Sequence, residues 1–142
     1  MPPTSAVTII TIEDDPGHAR LIEKNIRRAS VPNEIRTFGD GGSAVAYLAR
    51  PENQHENYLI LLDLNLPDMR GIEVLRSIKT SPRLRLVPVI ILTTTDDEAE
   101  IRQCYELGAN VYVTKPLDFE GFANAVRQLG LLFTIMQVAP HG

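Results

Sequence analysis

The feature that most constrains the fold is the alternation of short apolar runs with longer amphipathic segments. Five apolar runs occur at Val7 to Ile12, Ile35 to Phe38, Tyr58 to Leu62, Pro88 to Leu92 and Val111 to Val113. After the first run, Ala19, Ile22 and Ile26 lie three and four residues apart, which is the spacing of one face of an α-helix. This alternation is typical of repeated βαβ units, which build a mostly parallel sheet.

Local signals mark the ends of several elements. Asp15 can cap the first helix, and Pro16 suits its first position because no amide donor is needed there. The glycine-rich stretch from Gly39 to Gly42 predicts a turn after the second strand. Gly108 ends the fourth helix, and a last helix begins near Asp118. We therefore predict a doubly wound α/β fold with a five-stranded parallel sheet and about five flanking helices.

The length and charge of the chain limit its organisation. Its 142 residues are expected to form one domain, residues 1–142, with a core at about residues 7–128 and no output domain. Lysine and arginine total 14 against 18 aspartate and glutamate residues, which disfavours binding to nucleic acid or anionic membranes. Cys104 has no second cysteine to pair with, no signal-peptide pattern begins the chain, and no apolar run could span a bilayer. We expect a cytoplasmic protein.

Chemically capable side chains follow four of the five predicted strands. Glu13 and Asp14 follow the first, Asp63 the third, Thr93 the fourth and Lys115 the fifth. Ligands of open parallel sheets bind outside the carboxyl ends of the strands, so we expect these side chains to converge. Three neighbouring carboxylates repel one another, which raises at least one pKa unless a hard divalent cation such as Mg²⁺ lies between them.

The predicted cluster also suits phosphoryl transfer. Mg²⁺ takes one or two carboxylates and keeps its other positions for waters or phosphate oxygens. An aspartate can attack phosphorus to form an aspartyl phosphate, and the transferring group needs positioned cations and donors. Lys115 supplies a positive charge, and Thr93 supplies a hydroxyl donor.

Four separated motifs resemble the receiver domains of two-component response regulators. In chain order they are Glu13-Asp14-Asp15, Asp63-Leu64-Asn65-Leu66-Pro67, Thr93 and Lys115-Pro116. The resemblance implies a flavodoxin-like sheet with strand order 2-1-3-4-5. It also implies that Asp63 accepts a phosphoryl group from a phosphohistidine of a sensor histidine kinase. Such a protein is a signalling phosphoacceptor rather than an enzyme, because it catalyses only its own phosphorylation and dephosphorylation.

The resemblance assigns a metal site to the same residues. Glu13, Asp14 and Asp63 would hold Mg²⁺, with Mn²⁺ as a substitute, and the backbone carbonyl of Asn65 would complete the protein ligands. No other cofactor is implied.

The resemblance also assigns a conformational switch. Thr93 and Tyr112 would form the switch pair, in which the hydroxyl moves toward the phosphoryl group and the aromatic ring follows inward. A cis peptide between Lys115 and Pro116 would hold the lysine in place.

The C-terminal segment departs from a lone receiver. Residues Leu129 to Met136 are apolar on more than one face, within a last helix expected over about 118–138, and exposed apolar surface of this kind marks interfaces. This segment and the Asp63 to Pro67 motif resemble the stand-alone receivers of bacterial phytochrome kinases. We therefore expect a homodimer formed through the last helix and the face made by helix four, strand five and helix five, with a bacteriophytochrome as a candidate kinase.

Three other classes of protein fit these residues less well. Haloacid-dehalogenase-type phosphatases also use an aspartate nucleophile with Mg²⁺, but they place it after the first strand with a second aspartate two residues on, where this chain has Asn65 after Asp63. A flavodoxin-type FMN carrier disagrees with the acidic turn that follows the first strand. An unphosphorylated scaffold disagrees with the retention of every chemical group.

The three histidines are interpreted as solvated or structural: His18, His55 and His141.

Overall fold

The computed structural model describes residues 7–28, 31–50, 57–94, 97–115, 120–121 and 124. Five strands alternate with four helices over these residues. The strands are β1 (Val7–Ile12), β2 (Ile35–Phe38), β3 (Asn57–Asp63), β4 (Val89–Thr93) and β5 (Val111–Thr114). The helices are α1 (Pro16–Arg28), α2 (Gly41–Leu48), α3 (Gly71–Thr80) and α4 (Glu98–Leu107). Residues 120, 121 and 124 are helical, and the rest of the predicted fifth helix and the apolar tail lie outside the described residues.

All strand pairs are parallel, and the sheet order is β2-β1-β3-β4-β5. This confirms the predicted doubly wound fold and its strand order. In the register, Ile12 pairs with Leu62, Asp63 with Leu92 and Thr93 with Thr114. The carboxyl ends of β1, β3, β4 and β5 therefore lie side by side at one edge of the sheet.

Both faces of the sheet are covered. Along β3, Leu59 and Leu61 face one apolar cluster, which includes Ile22 and Ile26 of α1, and Ile60 and Leu62 face the other. The second cluster contains the buried side chains of α2, α3 and α4. A nearly all-apolar strand is what burial on both faces requires, since neither face of β3 reaches water.

Several predicted boundaries differ from the structure by a residue or more, and two of the differences have a clear physical reason. The glycine-rich stretch predicts a turn, but α2 begins within it at Gly41, because Asp40 caps the helix by accepting a hydrogen bond from the Ser43 amide. β4 starts one residue later than predicted and extends to Thr93. Pro88 precedes the strand and contributes its carbonyl, which accepts a hydrogen bond from the Ile60 amide at 3.0 Å.

No helix among the described residues is long and apolar enough to cross a membrane.

Lys79 holds the connection between α3 and β4. Its ammonium group donates hydrogen bonds to the carbonyl oxygens of Val87 at 2.6 Å and Arg85 at 3.1 Å, and burial lowers its pKa. Replacing Lys79 with Met keeps the apolar stem but removes both bonds, so we expect the free energy of unfolding to fall by about 1 kcal/mol. Urea denaturation followed by circular dichroism measures this change, with the exposed Lys24→Met as the control. Equal losses in both variants would contradict the assigned role of Lys79.

Candidate functional site

The polar side chains predicted to converge do meet at the carboxyl edge of the sheet. Glu13 follows β1, Asp63 ends β3, Thr93 ends β4 and Lys115 follows β5. The Lys115 amide donates to the carbonyl of Thr93 at 2.8 Å, which continues the β4–β5 pairing and brings Lys115 to the site. The site is thus assembled by strand register, and each of its side chains comes from a separate apolar run.

Lys115 lies at the centre of the cluster. Its Nζ donates hydrogen bonds to Oε1 of Glu13 and, at 3.1 Å, to Oδ2 of Asp63. The side chains are largely removed from water, with exposed fractions of 9% for Lys115, 2% for Glu13 and 5% for Asp63. Charges that are withdrawn from water interact strongly, so this ammonium group is the main compensation for the two carboxylates.

The second oxygen of each buried carboxylate is held by a backbone amide. The Asn65 amide donates to Oδ1 of Asp63 at 3.2 Å, and the Asp15 amide donates to Oε2 of Glu13 at 3.1 Å. Both carboxylates are therefore fixed in orientation by one backbone donor and one ammonium group.

The pKa shifts at the site follow from burial and pairing. Burial raises the pKa of Glu13, and the nearby charge of Asp63 adds to this, while the hydrogen bond from Lys115 opposes it. For Lys115, burial lowers the pKa, but the hydrogen bond with Glu13 and the charge of Asp63 outweigh burial, so its pKa is raised. A raised carboxyl pKa was predicted from repulsion, whereas the main cause at Glu13 is loss of water.

Three carboxylates are close enough to share a cation. One oxygen each of Glu13, Asp14 and Asp63 lies within 4.8 Å of the others. Asp14 is exposed, and the other two are buried, so the group opens toward solvent on one side. A donor set made only of carboxylate oxygens suits a hard divalent cation, and three negative charges against one ammonium group leave negative charge to be neutralised.

Thr93 and Tyr112 lie on the neighbouring strands β4 and β5. Thr93 is fully buried, and its Oγ1 lies 3.4 Å from Nδ2 of Asn65, which donates to it. Tyr112 is half-buried on β5 and packs against the apolar cluster that contains α4. Their role as a switch pair stays a prediction. Pro116, and with it the predicted cis peptide, lies outside the described residues.

Two residues near the site were not predicted to take part in it. His18 was interpreted as solvated or structural, but its Nδ1 lies 3.4 Å from Nζ of Lys115. The carboxylate of Asp68 accepts hydrogen bonds from the backbone amides of Gly41 at 2.9 Å and Gly42 at 2.8 Å. These bonds, above all the one from Gly41, hold the pKa of Asp68 below its usual range. His18 has a weak sequence signal, since it lies in the first helical turn after the acidic motif. Asp68 has none.

The predicted helix cap at Asp15 is confirmed. Its Oδ1 accepts hydrogen bonds from the amides of Gly17 at 2.8 Å and His18 at 3.1 Å, and these bonds lower its pKa. Cys104 is buried in the core, where burial raises the pKa of its thiol to about 11 and leaves it protonated and unreactive.

A parallel sheet of order 2-1-3-4-5 with clustered acids, a threonine and a lysine at its carboxyl edge defines a class of phosphoacceptor signalling domains. The family model of the response regulator receiver domain matches residues 9–127. The chain belongs to this family.

Several response regulators are similar to this chain in sequence and in structure. Response regulator Rcp1 of Synechocystis is 39% identical over 110 residues, which are 75% of each chain. The Mn²⁺-bound form of Rcp1 has a TM-score of 0.73 at 34% identity and covers 95% of this chain and 99% of that one. A response regulator receiver domain from Rhodospirillum rubrum has a TM-score of 0.76 at 60% identity, covering 94% and 97%. The bacteriophytochrome response regulator RtBRR has a TM-score of 0.81 at 35% identity, covering 96% and 85%.

Proposed function

We propose that this receiver domain accepts a phosphoryl group on Asp63 from a phosphohistidine of a sensor histidine kinase and signals through altered protein contacts. The observation that carries the proposal is the state of Asp63. Its carboxylate is buried at a strand end, held by Lys115 at one oxygen and by the Asn65 amide at the other. A carboxylate with only a turn or surface role does not need this arrangement.

The chemistry follows from these contacts. One oxygen of Asp63 forms a bond to phosphorus as the phosphorus–nitrogen bond of the donor breaks, and the electron pair of the broken bond stays on the nitrogen of the departing imidazole. Lys115 lies within hydrogen-bond distance of Asp63 and stabilises the negative charge of the transferring oxygens. The buried hydroxyl of Thr93 offers a further donor. The phosphoryl group is transferred to the protein itself, which is therefore a phosphoacceptor and not an enzyme that acts on a separate substrate.

The acidic cluster is proposed to hold Mg²⁺, or Mn²⁺ in its place. Glu13, Asp14 and Asp63 offer three carboxylate oxygens, and the backbone carbonyl of Asn65 is the proposed fourth protein ligand. The Mn²⁺-bound form of Rcp1 supports a divalent cation in a protein similar to this one. When bound, the cation would neutralise negative charge shared by the carboxylates and the phosphoryl oxygens.

The switch is proposed to use the pair predicted from the sequence. A phosphoryl oxygen on Asp63 would draw the hydroxyl of Thr93, and the half-buried ring of Tyr112 would follow inward. Since Tyr112 packs on the cluster that includes α4 residues, its movement would alter the surface formed by α4 and β5. This links the chemistry to a change in protein contacts.

The partners are proposed from similarity. The likeness to RtBRR supports a bacteriophytochrome as the kinase. The homodimer through α4, β5 and the last helix remains a prediction, because most of the residues that would form it lie outside the described part of the chain. Single-domain organisation, a cytoplasmic location and the lack of direct binding to nucleic acid remain predictions as well.

The test is phosphorylation by a small-molecule donor. Incubation with acetyl phosphate and Mg²⁺ is expected to add one phosphoryl group, detected by intact-protein mass spectrometry, and a sample stripped of divalent cations is expected to show little adduct. Circular dichroism of both samples checks that metal removal leaves the fold intact. A folded protein that gains no adduct from acetyl phosphate or from a phosphorylated kinase would contradict the proposal.

A further inference from the structure

His18 lies beside the central lysine of the site. It is the third residue of α1, its side chain is 51% exposed, and its amide donates to Oδ1 of Asp15 at 3.1 Å. Its Nδ1 is 3.4 Å from Nζ of Lys115, and farther from Oδ2 of Asp15 at 3.9 Å and Oε2 of Glu13 at 4.0 Å. The capped start of α1 thus places the ring next to the ammonium group.

The roles of the two nitrogens follow from their chemistry. A lysine ammonium group has three hydrogens and no acceptor, so the imidazole nitrogen that faces it must be the acceptor. In the neutral ring, the hydrogen is then on Nε2. Lys115 therefore has one acceptor for each of its three hydrogens: Glu13, Asp63 and His18.

We propose that His18 is a positioning residue, whose Nδ1 accepts a hydrogen bond from Lys115 and keeps this ammonium group in place during phosphorylation. The proposal rests on the proposed function of Asp63. When Oδ2 of Asp63 or its phosphoryl group takes up new partners, the hydrogen that Lys115 donates to Asp63 must be redirected. Glu13 and His18 then hold Nζ from the β1–α1 side, so the lysine turns toward the phosphoryl oxygen without leaving the site.

A neutral acceptor is suited to this position. A carboxylate in place of His18 would add negative charge where an anionic phosphoryl donor must approach. The imidazole nitrogen fixes the ammonium group without adding charge. The residue therefore acts on the reaction through Lys115, and it does not need to contact the phosphoryl group.

The first measurement does not depend on phosphorylation. Nitrogen-15 NMR reports which nitrogen of an imidazole ring carries the hydrogen, and a His18 variant assigns the signals of this ring. At a pH where the His18 ring is neutral, we expect its Nδ1 to be unprotonated and its Nε2 to be protonated. A ring protonated at Nδ1, or an unbiased mixture of the two tautomers, would overturn the proposal even if Asp63 is phosphorylated normally.

The second measurement compares two variants of the same shape. Leu and Asn branch alike, but only Asn carries an acceptor at the δ position, where Nδ1 lies. We expect His18→Leu to form the adduct from acetyl phosphate about fivefold more slowly than the unaltered protein, which corresponds to one lost hydrogen bond, and His18→Asn to stay within about twofold. The exposed α1 variant Lys24→Leu is the control and is expected to react at the unaltered rate.

The outcomes separate the two proposals. Failure of the unaltered protein to gain an adduct counts against the proposed function of Asp63. The tautomer measurement still decides whether Nδ1 of His18 accepts a hydrogen bond from Lys115. Equal rates for His18→Leu and the unaltered protein, or equal losses in the Leu and Asn variants, would overturn the role of His18. Since the side chain of His18 is half exposed, we expect the melting temperatures of all three variants to match that of the unaltered protein. A measured match would exclude unfolding as the cause of a slower reaction.

Discussion

Replacing Asp63 with Asn is expected to abolish the phosphoryl adduct while the protein remains folded. The amide is not a nucleophile toward phosphorus, so no acyl phosphate can form at this position. The fold should tolerate the change, because Lys115 keeps its hydrogen bond with Glu13 and one negative charge leaves a crowded acidic cluster. We expect the free energy of unfolding to change by less than about 1 kcal/mol, since the remaining pair stays compensated. Intact-protein mass spectrometry and urea denaturation measure the two effects.

Asp68 provides the matched control. It lies in the same connection between β3 and α3, is exposed, and contacts the amides of Gly41 and Gly42 rather than the acidic cluster. Asp68→Asn is expected to gain the adduct like the unaltered protein, and its amide oxygen can still accept one of the two bonds. If Asp63→Asn gained the adduct to the same extent, Asp63 would not be the acceptor. If only Asp68→Asn failed, the acceptor would have to be sought in the β3–α3 connection.

The position of the site could be predicted from the sequence because the end of each apolar run marks the end of a strand. Four of the five apolar runs lead into a side chain capable of chemistry, and parallel pairing brings those ends to one edge, so Glu13, Asp63, Thr93 and Lys115 needed no tertiary information beyond the order of the elements. The same reasoning located the helix cap at Asp15. Local signals sufficed wherever the relevant partner was near in sequence or was the next strand of the sheet.

Contacts across the fold could not be predicted in this way. The helical start at Gly41 depends in part on Asp68, 27 residues away, and the glycine run alone indicates a turn. The contact between His18 and Lys115 spans 97 residues and depends on where the first turn of α1 lies relative to β5. The residues around these contacts carry no local signal of them. Each contact depends on the distance between two backbone segments that only the folded chain brings together.

Gly71 is the strongest case of this kind. It is the first residue of α3, is buried, and its amide donates to the carbonyl of Leu64 at 2.9 Å. An added Cβ would lie 2.4 Å from the Cα of Leu64 and 2.5 Å from the carbonyl oxygen of Asp63. Both atoms belong to backbone, which cannot turn aside as the end of a flexible side chain can. The close approach of α3 to the end of β3 therefore requires glycine.

Gly71→Ala is accordingly expected to lower the free energy of unfolding by about 3 kcal/mol or more, which exceeds the gain in helix propensity that alanine brings. The protein that still folds should also form the adduct more slowly, because the displaced backbone carries Asp63 itself. Gly39→Ala is the control, since its added Cβ would meet no heavy atom within 4 Å, and it is expected to leave both stability and adduct formation near those of the unaltered protein. Urea denaturation and the acetyl phosphate reaction measure the two effects in both variants. A Gly71→Ala protein as stable and as reactive as Gly39→Ala would show that the β3–α3 connection can move, and that rigid support of Asp63 by α3 is not part of the site.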